Sequence, residues 1–89
     1  MELIAKGEFY RNVAKHRNRE LAIAIDETLR QVQQAKSIED IQQLKKLRKF
    51  SVYYRIKVKD DYRIGVIIRG NKVWLACFGH RNNIYKNFP

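Results

Sequence analysis

A chain of 89 residues with 19 Lys and Arg against 9 Asp and Glu, a net charge of +10, is the size of one domain, spanning residues 1–89. Its 45% hydrophobic and 11% aromatic content is enough to fold, which excludes a wholly disordered polybasic segment. No apolar run approaches the ~20 residues of a membrane-spanning helix, and Met1-Glu2-Leu3 opens no basic-then-apolar leader, so a cytoplasmic protein without a membrane partner is expected.

The excess positive charge opposes compaction through self-repulsion, and a polyanionic partner relieves it. Nucleic acid is the first candidate and an acidic protein the second. Cys77 is the only cysteine, so no intrachain disulfide forms, and its place in the apolar run Val73–Phe78 predicts an inert, buried thiol.

Along the chain, Met1–Ala5 reads as a short edge strand. Phe9 and Val13 begin a helical stripe. Beyond Arg17-Asn18, with Asn18 as N-cap, Leu21, Ile25, Leu29 and Val32 recur at spacings of four, four and three and share one helix face. A helical hairpin over Gly7–Ala35 is the expectation. Ser37-Ile38-Glu39-Asp40 resembles a capping box with Asp as its acid, opening a short helix or turn that carries Ile38, Ile41 and Leu44. Arg48-Lys49-Phe50 is a basic connector.

From Val52 the period becomes two. Val52, Tyr54, Ile56 and Val58 alternate with Tyr53, Arg55, Lys57 and Lys59. After the turn Asp60-Asp61, Tyr62, Ile64, Val66 and Ile68 alternate with Arg63, Gly65, Ile67 and Arg69. Gly70-Asn71 makes a second turn before the apolar run Val73–Phe78. The whole reads as an α+β domain, an N-terminal helical hairpin packed on a small antiparallel sheet.

Alternation places Arg55, Lys57, Lys59 and Arg63 on the face away from the helices. Like charges on strands ~4.8 Å apart repel, and such a cluster is explained by an anion that it holds, or else by a solvated basic face that guards against edge pairing. His80-Arg81 after Gly79, with Tyr85 four residues on, adds to that patch. Arg stabilises charge on phosphate oxygens, Lys or His moves a proton, and an aromatic ring stacks a base. No carboxylate pair is expected on the basic face, which argues against a carboxylate-held Mg²⁺ nuclease. His16, His80 and one Cys do not make a zinc site, so neither metal nor cofactor is expected.

Taken together, these residues resemble the RelE/ParE toxin superfamily over nearly the whole chain. The likeness runs through Leu44-Lys45-Lys46-Leu47, Tyr54-Arg55-Ile56-Lys57-Val58, Tyr62-Arg63, Gly79-His80-Arg81-Asn82-Asn83-Ile84-Tyr85 and the tail to Pro89. The resemblance implies the RelE-like microbial RNase fold and the toxin of a type II toxin–antitoxin system. It implies a metal-free endoribonuclease, an mRNA interferase that acts on the messenger in the ribosome. The 2′-hydroxyl attacks the adjacent phosphorus, leaving a 2′,3′-cyclic phosphate and a 5′-hydroxyl. The partners implied are a cognate acidic antitoxin and the ribosome with its mRNA. Arg55 and Lys57 match the paired basic positions, Arg63 the arginine after the hairpin turn, Arg81 the phosphate-binding or acid arginine, and Tyr85 the base-stacking aromatic. Lys57 is the best candidate base, with His80 replacing or assisting it. Arg55 stands where the family's best-studied branch has Lys, and arginine does not give up a proton near neutral pH. The superfamily's gyrase-poisoning ParE branch, or a non-catalytic RNA-binding module, is the alternative.

Overall fold

Residues 1–16 and 18–89 are described by a computed structural model of the chain. Among them, five strands form one sheet: β1 (Glu2–Ala5), β2 (Leu44–Lys46), β3 (Tyr53–Val58), β4 (Tyr62–Arg69) and β5 (Lys72–His80), in the order β1-β5-β4-β3-β2. The helices α1 (Gly7–Ala14) and α2 (Arg19–Gln34) pack on one face. The α+β class and the helical pair over a meander are as the sequence predicts. β1 takes the expected edge position, but it runs parallel to β5, so the sheet is mixed. Of the expected hairpin junction Arg17-Asn18, Arg17 lies outside the described residues.

The helical stripe does the work its spacing implies. Leu21, Ile25 and Val32 are buried and Leu29 half-buried against Ile56, Ile64, Val66, Val73 and Leu75. Asn18 caps α2, its Oδ1 accepting the Leu21 N–H at 3.0 Å. The expected capping box forms differently. Ser37 makes no side-chain cap, and Asp40 Oδ2 instead accepts the Lys36 N–H at 3.0 Å. Only Ile38–Asp40 make a single 3-10 turn. Leu44, expected with that turn, belongs to β2 and pairs with Ile56. Gln43, at φ 63°, reverses the chain just before it, and its carbonyl accepts the Lys57 N–H at 3.1 Å.

β5 carries the irregularity that decides the site. It runs two residues past the expected end, so Gly79 lies within the strand. Gly65 pairs with Cys77 but Val66 pairs with Leu75, which leaves Ala76 as the extra residue of a β-bulge. The bulge shifts the alternation by one. Val73 and Leu75 face the helices before it, and Phe78 and His80 do so after it. Trp74, Cys77 and Gly79 therefore face the opposite side. β1 covers only Lys72–Leu75 of this strand. α1 lies along the rest, where Asn12 Oδ1 accepts the Phe78 N–H at 3.0 Å.

The outer face is half covered by the C-terminal tail. Ile84 and Phe88 are buried although no helix lies over them. A Cβ placed on Gly79 would stand 3.8 Å from Ile84 Cβ, and one on Gly65 would stand 2.7 Å from Phe88 Cδ2. The tail thus crosses β5 and β4, and the β3 and β2 half of the face remains open.

Candidate nucleic-acid interface

Strand register gathers the predicted cations into rows on the outer face. Lys57 is cross-strand to Arg63, and Arg55 is flanked by Gly65 on one side and Lys45 on the other. Cross-strand partners share a face, so Lys45 joins the patch. Sequence reading missed it because a three-residue strand is too short to show a period of two.

The turn between β3 and β4 ties the patch to the end of β5. Lys57 Nζ lies 3.4 Å from Asp60 Oδ1, and Arg81 Nε lies 3.8 Å from Asp61 Oδ1. The Arg81 N–H donates to the Asp61 carbonyl at 2.7 Å, which extends the ladder past the strand end. Arg63 Nη1 donates to the carbonyls of Asp60 and Tyr62, each at 2.9 Å. Lys57, Arg63 and Arg81 thus converge on one two-residue turn. Asp60 and Asp61 lie in the turn where the sequence places them, at the rim of the basic face rather than on it.

These ion pairs are weak. Asp60 is 91% exposed and Asp61 58% exposed, and such pairs contribute about 0–1 kcal/mol. A phosphate therefore displaces them at little cost. Replacing both acids by Asn should raise affinity for single-stranded RNA several-fold at low salt and steepen its salt dependence, because anion and carboxylate no longer compete. Filter binding across a salt series measures this, and unchanged affinity would show that the acids do not compete for the cations.

The other predicted residues are distributed as follows. Arg55 stays on the patch, with Nη1 donating to the Gln43 carbonyl at 2.9 Å. Lys59, at φ 52° in the turn, swings away toward α2, and its Nζ lies 3.8 Å from Glu20 Oε2. His80 is not gathered with the cations. The bulge sends its ring to the helix side, edge-on to Tyr62 at 5.7 Å, in a cluster where His16 meets Tyr62 and Phe78. Its Nδ1 accepts the Asn82 N–H at 3.2 Å. Tyr85 projects from the tail, 46% exposed, and joins no aromatic pair among the described residues. Cys77 lies half-buried on the outer face beside Gly65 and Phe88. Burial pushes its thiol up to about 11, which keeps it protonated and unreactive. Among the described residues, no three His, Cys, Asp or Glu side chains converge as metal ligands. No helix among them is long and apolar enough to cross a membrane.

Two helices on one face of a five-stranded mixed sheet match the RelE-like toxin fold. The chain superposes on a chain of the RelB-RelE antitoxin-toxin complex from Methanococcus jannaschii with a TM-score of 0.77 and 28% identity, over 97% of this chain and 99% of that one. YafQ from E. coli shares the fold alone, at TM-score 0.65 and 11% identity over 94% and 97% of the two chains. No protein-family model matches the sequence. Toxin RelE3 of Methanocaldococcus jannaschii is 31% identical over 80 residues, 89% of this chain and 85% of the relative. The chain belongs to the RelE toxin family.

Proposed function

We propose that this protein is the toxin of a toxin–antitoxin pair and a ribosome-dependent endoribonuclease that cleaves messenger RNA without a metal. The observation that carries the reading is the convergence of Lys57, Arg63 and Arg81 on the Asp60-Asp61 turn, with Arg55 on the same face. RNA brings its own nucleophile. The 2′-hydroxyl gives up its proton and its oxygen bonds to phosphorus. The bond from phosphorus to the 5′-oxygen breaks, and that oxygen takes up a proton. Lys57 is the group that accepts the first proton, since arginine cannot exchange one near neutral pH. Arg81 and Arg63 stabilise the charge that grows on the phosphate oxygens. Tyr85, exposed on the tail, stacks on a base beside the cut. His80, turned to the helix side, takes no part in proton transfer.

The patch supplies charge but little that would align a flexible strand for in-line attack. An ordered messenger on the ribosome supplies that alignment and its entropic advantage. Translation of a defined message, with 5′ ends mapped by primer extension, is the test. Cleavage is expected on translating ribosomes and weakly on free RNA, and a single 2′-deoxy nucleotide at the cut should abolish it. Equal cleavage of free and translated RNA removes the ribosome from the reading. Cleavage of the 2′-deoxy message removes the 2′-hydroxyl.

The partner expected for a +10 surface is acidic. The structural relative was crystallised as an antitoxin–toxin complex, and an acidic antitoxin fits this chain in the same way. Its association should slow as salt rises, because opposite charges steer the encounter. Stopped-flow mixing with the product of the neighbouring reading frame measures it, and a salt-independent rate would deny the electrostatic steering.

A further inference from the structure

Beyond the cations, the outer face carries an apolar row that the chemistry above does not use. Tyr53 is cross-strand to Ile67, Ile67 to Trp74, and Trp74 to Ile4, so four side chains line up across β3, β4, β5 and β1. All four are half-buried, with no helix over them. The row is rimmed by charge. Arg69 and Lys72 are exposed partners two register positions on, on the same face, with the acid Glu2 beside Lys72. Lys6, Tyr53, Ile67, Arg69 and Trp74 enclose a shallow cavity of about 210 Å³. Tyr53 also meets Phe50 at 5.3 Å and Phe88 at 5.6 Å, which joins this end of the face to the tail.

The geometry points to a second RNA subsite, in which a nucleobase stacks on Trp74 while its phosphate is held by Arg69 and Lys6. This inference rests on the RNA-cleaving reading and extends the strand's path. Tyr53 lies four residues from Lys57 on β3, about 13 Å at ~3.3 Å per residue. A single strand laid along β3 from the Lys57–Arg63 pair therefore reaches the aromatic row without leaving the face. Three requirements of sequence-tolerant single-strand binding are met. An indole presents a flat apolar surface, cations stand beside it, and Arg55 and Lys57 on the same face of β3 lead to it. An acidic protein segment would be drawn by the same charge, but an indole flanked by Lys and Arg selects a flat ring carrying an anion.

Trp74 is the only tryptophan, so its fluorescence reports this site alone. The probe is a 2′-O-methyl oligouridylate or oligoadenylate, which binds but cannot be cut. Saturable quenching is expected. Trp74→Leu should weaken binding about 5- to 100-fold, the span of base–aromatic stacking, and Trp74→Phe should retain most of it. Arg69→Ala should weaken binding a few-fold and flatten its salt dependence. Thermal melts accompany each variant. If Trp74→Leu fails to fold, quenching of the wild type and of Arg69→Ala decides. Equal quenching by inorganic polyphosphate overturns the subsite, because charge alone then explains it. So do unchanged affinity in Trp74→Leu, and saturation by a polyglutamate peptide but not by RNA. The two readings fail separately: messenger cleavage without Trp74 quenching refutes the subsite alone, and quenching without cleavage refutes the nuclease alone.

Discussion

Arg81→Ala is expected to slow single-turnover cleavage on programmed ribosomes by about 10²–10³, the typical loss when one preorganised donor to a developing oxyanion is removed. The backbone places this side chain at the rim of the patch, and only a weak ion pair competes for it. Its backbone N–H is fixed on the Asp61 carbonyl at 2.7 Å, and its Nε rests 3.8 Å from the Asp61 carboxylate. Affinity for the ribosome should fall far less, since Lys45, Arg55, Lys57 and Arg63 remain on the face. Lys57→Ala should lose rate to a similar degree, and Lys57→Arg separates the two roles open to that lysine. Arginine keeps the charge but cannot exchange a proton, so a rate as low as that of Lys57→Ala assigns proton transfer, and a recovered rate assigns phosphate binding. Neither change should lower the melting temperature appreciably, because the ion pairs lost are exposed. Wild-type rates in both Arg81→Ala and Lys57→Ala would sink the assignment. A gyrase-directed activity untouched by both would put the protein on the ParE side of its superfamily.

What the sequence shows and what it hides follow from the length of each signal. The α2 stripe extends over 12 residues from Leu21 to Val32 and predicts burial that the structure confirms. The alternation of β3 and β4 places Arg55, Lys57 and Arg63 correctly because each strand has one polar and one apolar side. β5 defeats the same logic. In Val73–Phe78 every residue suits either face, so nothing marks Ala76 as the bulge. That single inserted residue reverses the facing of His80 and Cys77. Lys59 departs for a different reason: a positive φ of 52° in the turn ends the alternation one residue early. The spacing of Ile84 and Phe88 hints at a tail that packs, but its docking on Gly65 and Gly79 is a tertiary contact between distant parts of the chain.

Gly65→Ala should expose how far the face depends on that tail. The added Cβ would lie 2.7 Å from both Cys77 Sγ and Phe88 Cδ2, and 2.8 Å from Phe88 Cε2. Something must move, and the Phe88 ring, carried on the segment beyond β5, moves more readily than the backbone of two paired interior strands. Overpacking of this kind costs about 1–3 kcal/mol, which in a domain of this size is about 4–8 °C of melting temperature per kcal/mol. A fall of roughly 5–20 °C is the expected result. Cys77 supplies the second measurement. Its thiol is raised from its ordinary value of 9.0 to about 11, chiefly by burial, with Glu8 adding to the rise and a backbone hydrogen bond to Gly65 opposing it. The folded state therefore holds the proton more tightly than the unfolded chain. The stability tied to it is intact below pH 9.0 and is lost as pH climbs toward about 11. Lifting the tail should return the thiol toward its ordinary value and raise the thiolate fraction at neutral pH by up to about a hundredfold. Alkylation by iodoacetamide should then speed at least tenfold, since access improves as well. Phe88→Ala removes the ring without adding a methyl group and should give the same fast alkylation. The double variant should lose less than the sum of the two single losses, because the collision with the Phe88 ring is gone and only that with Cys77 Sγ remains. Additive losses in the double variant, or wild-type melting and slow alkylation in Gly65→Ala, would mean that Phe88 does not rest on Gly65.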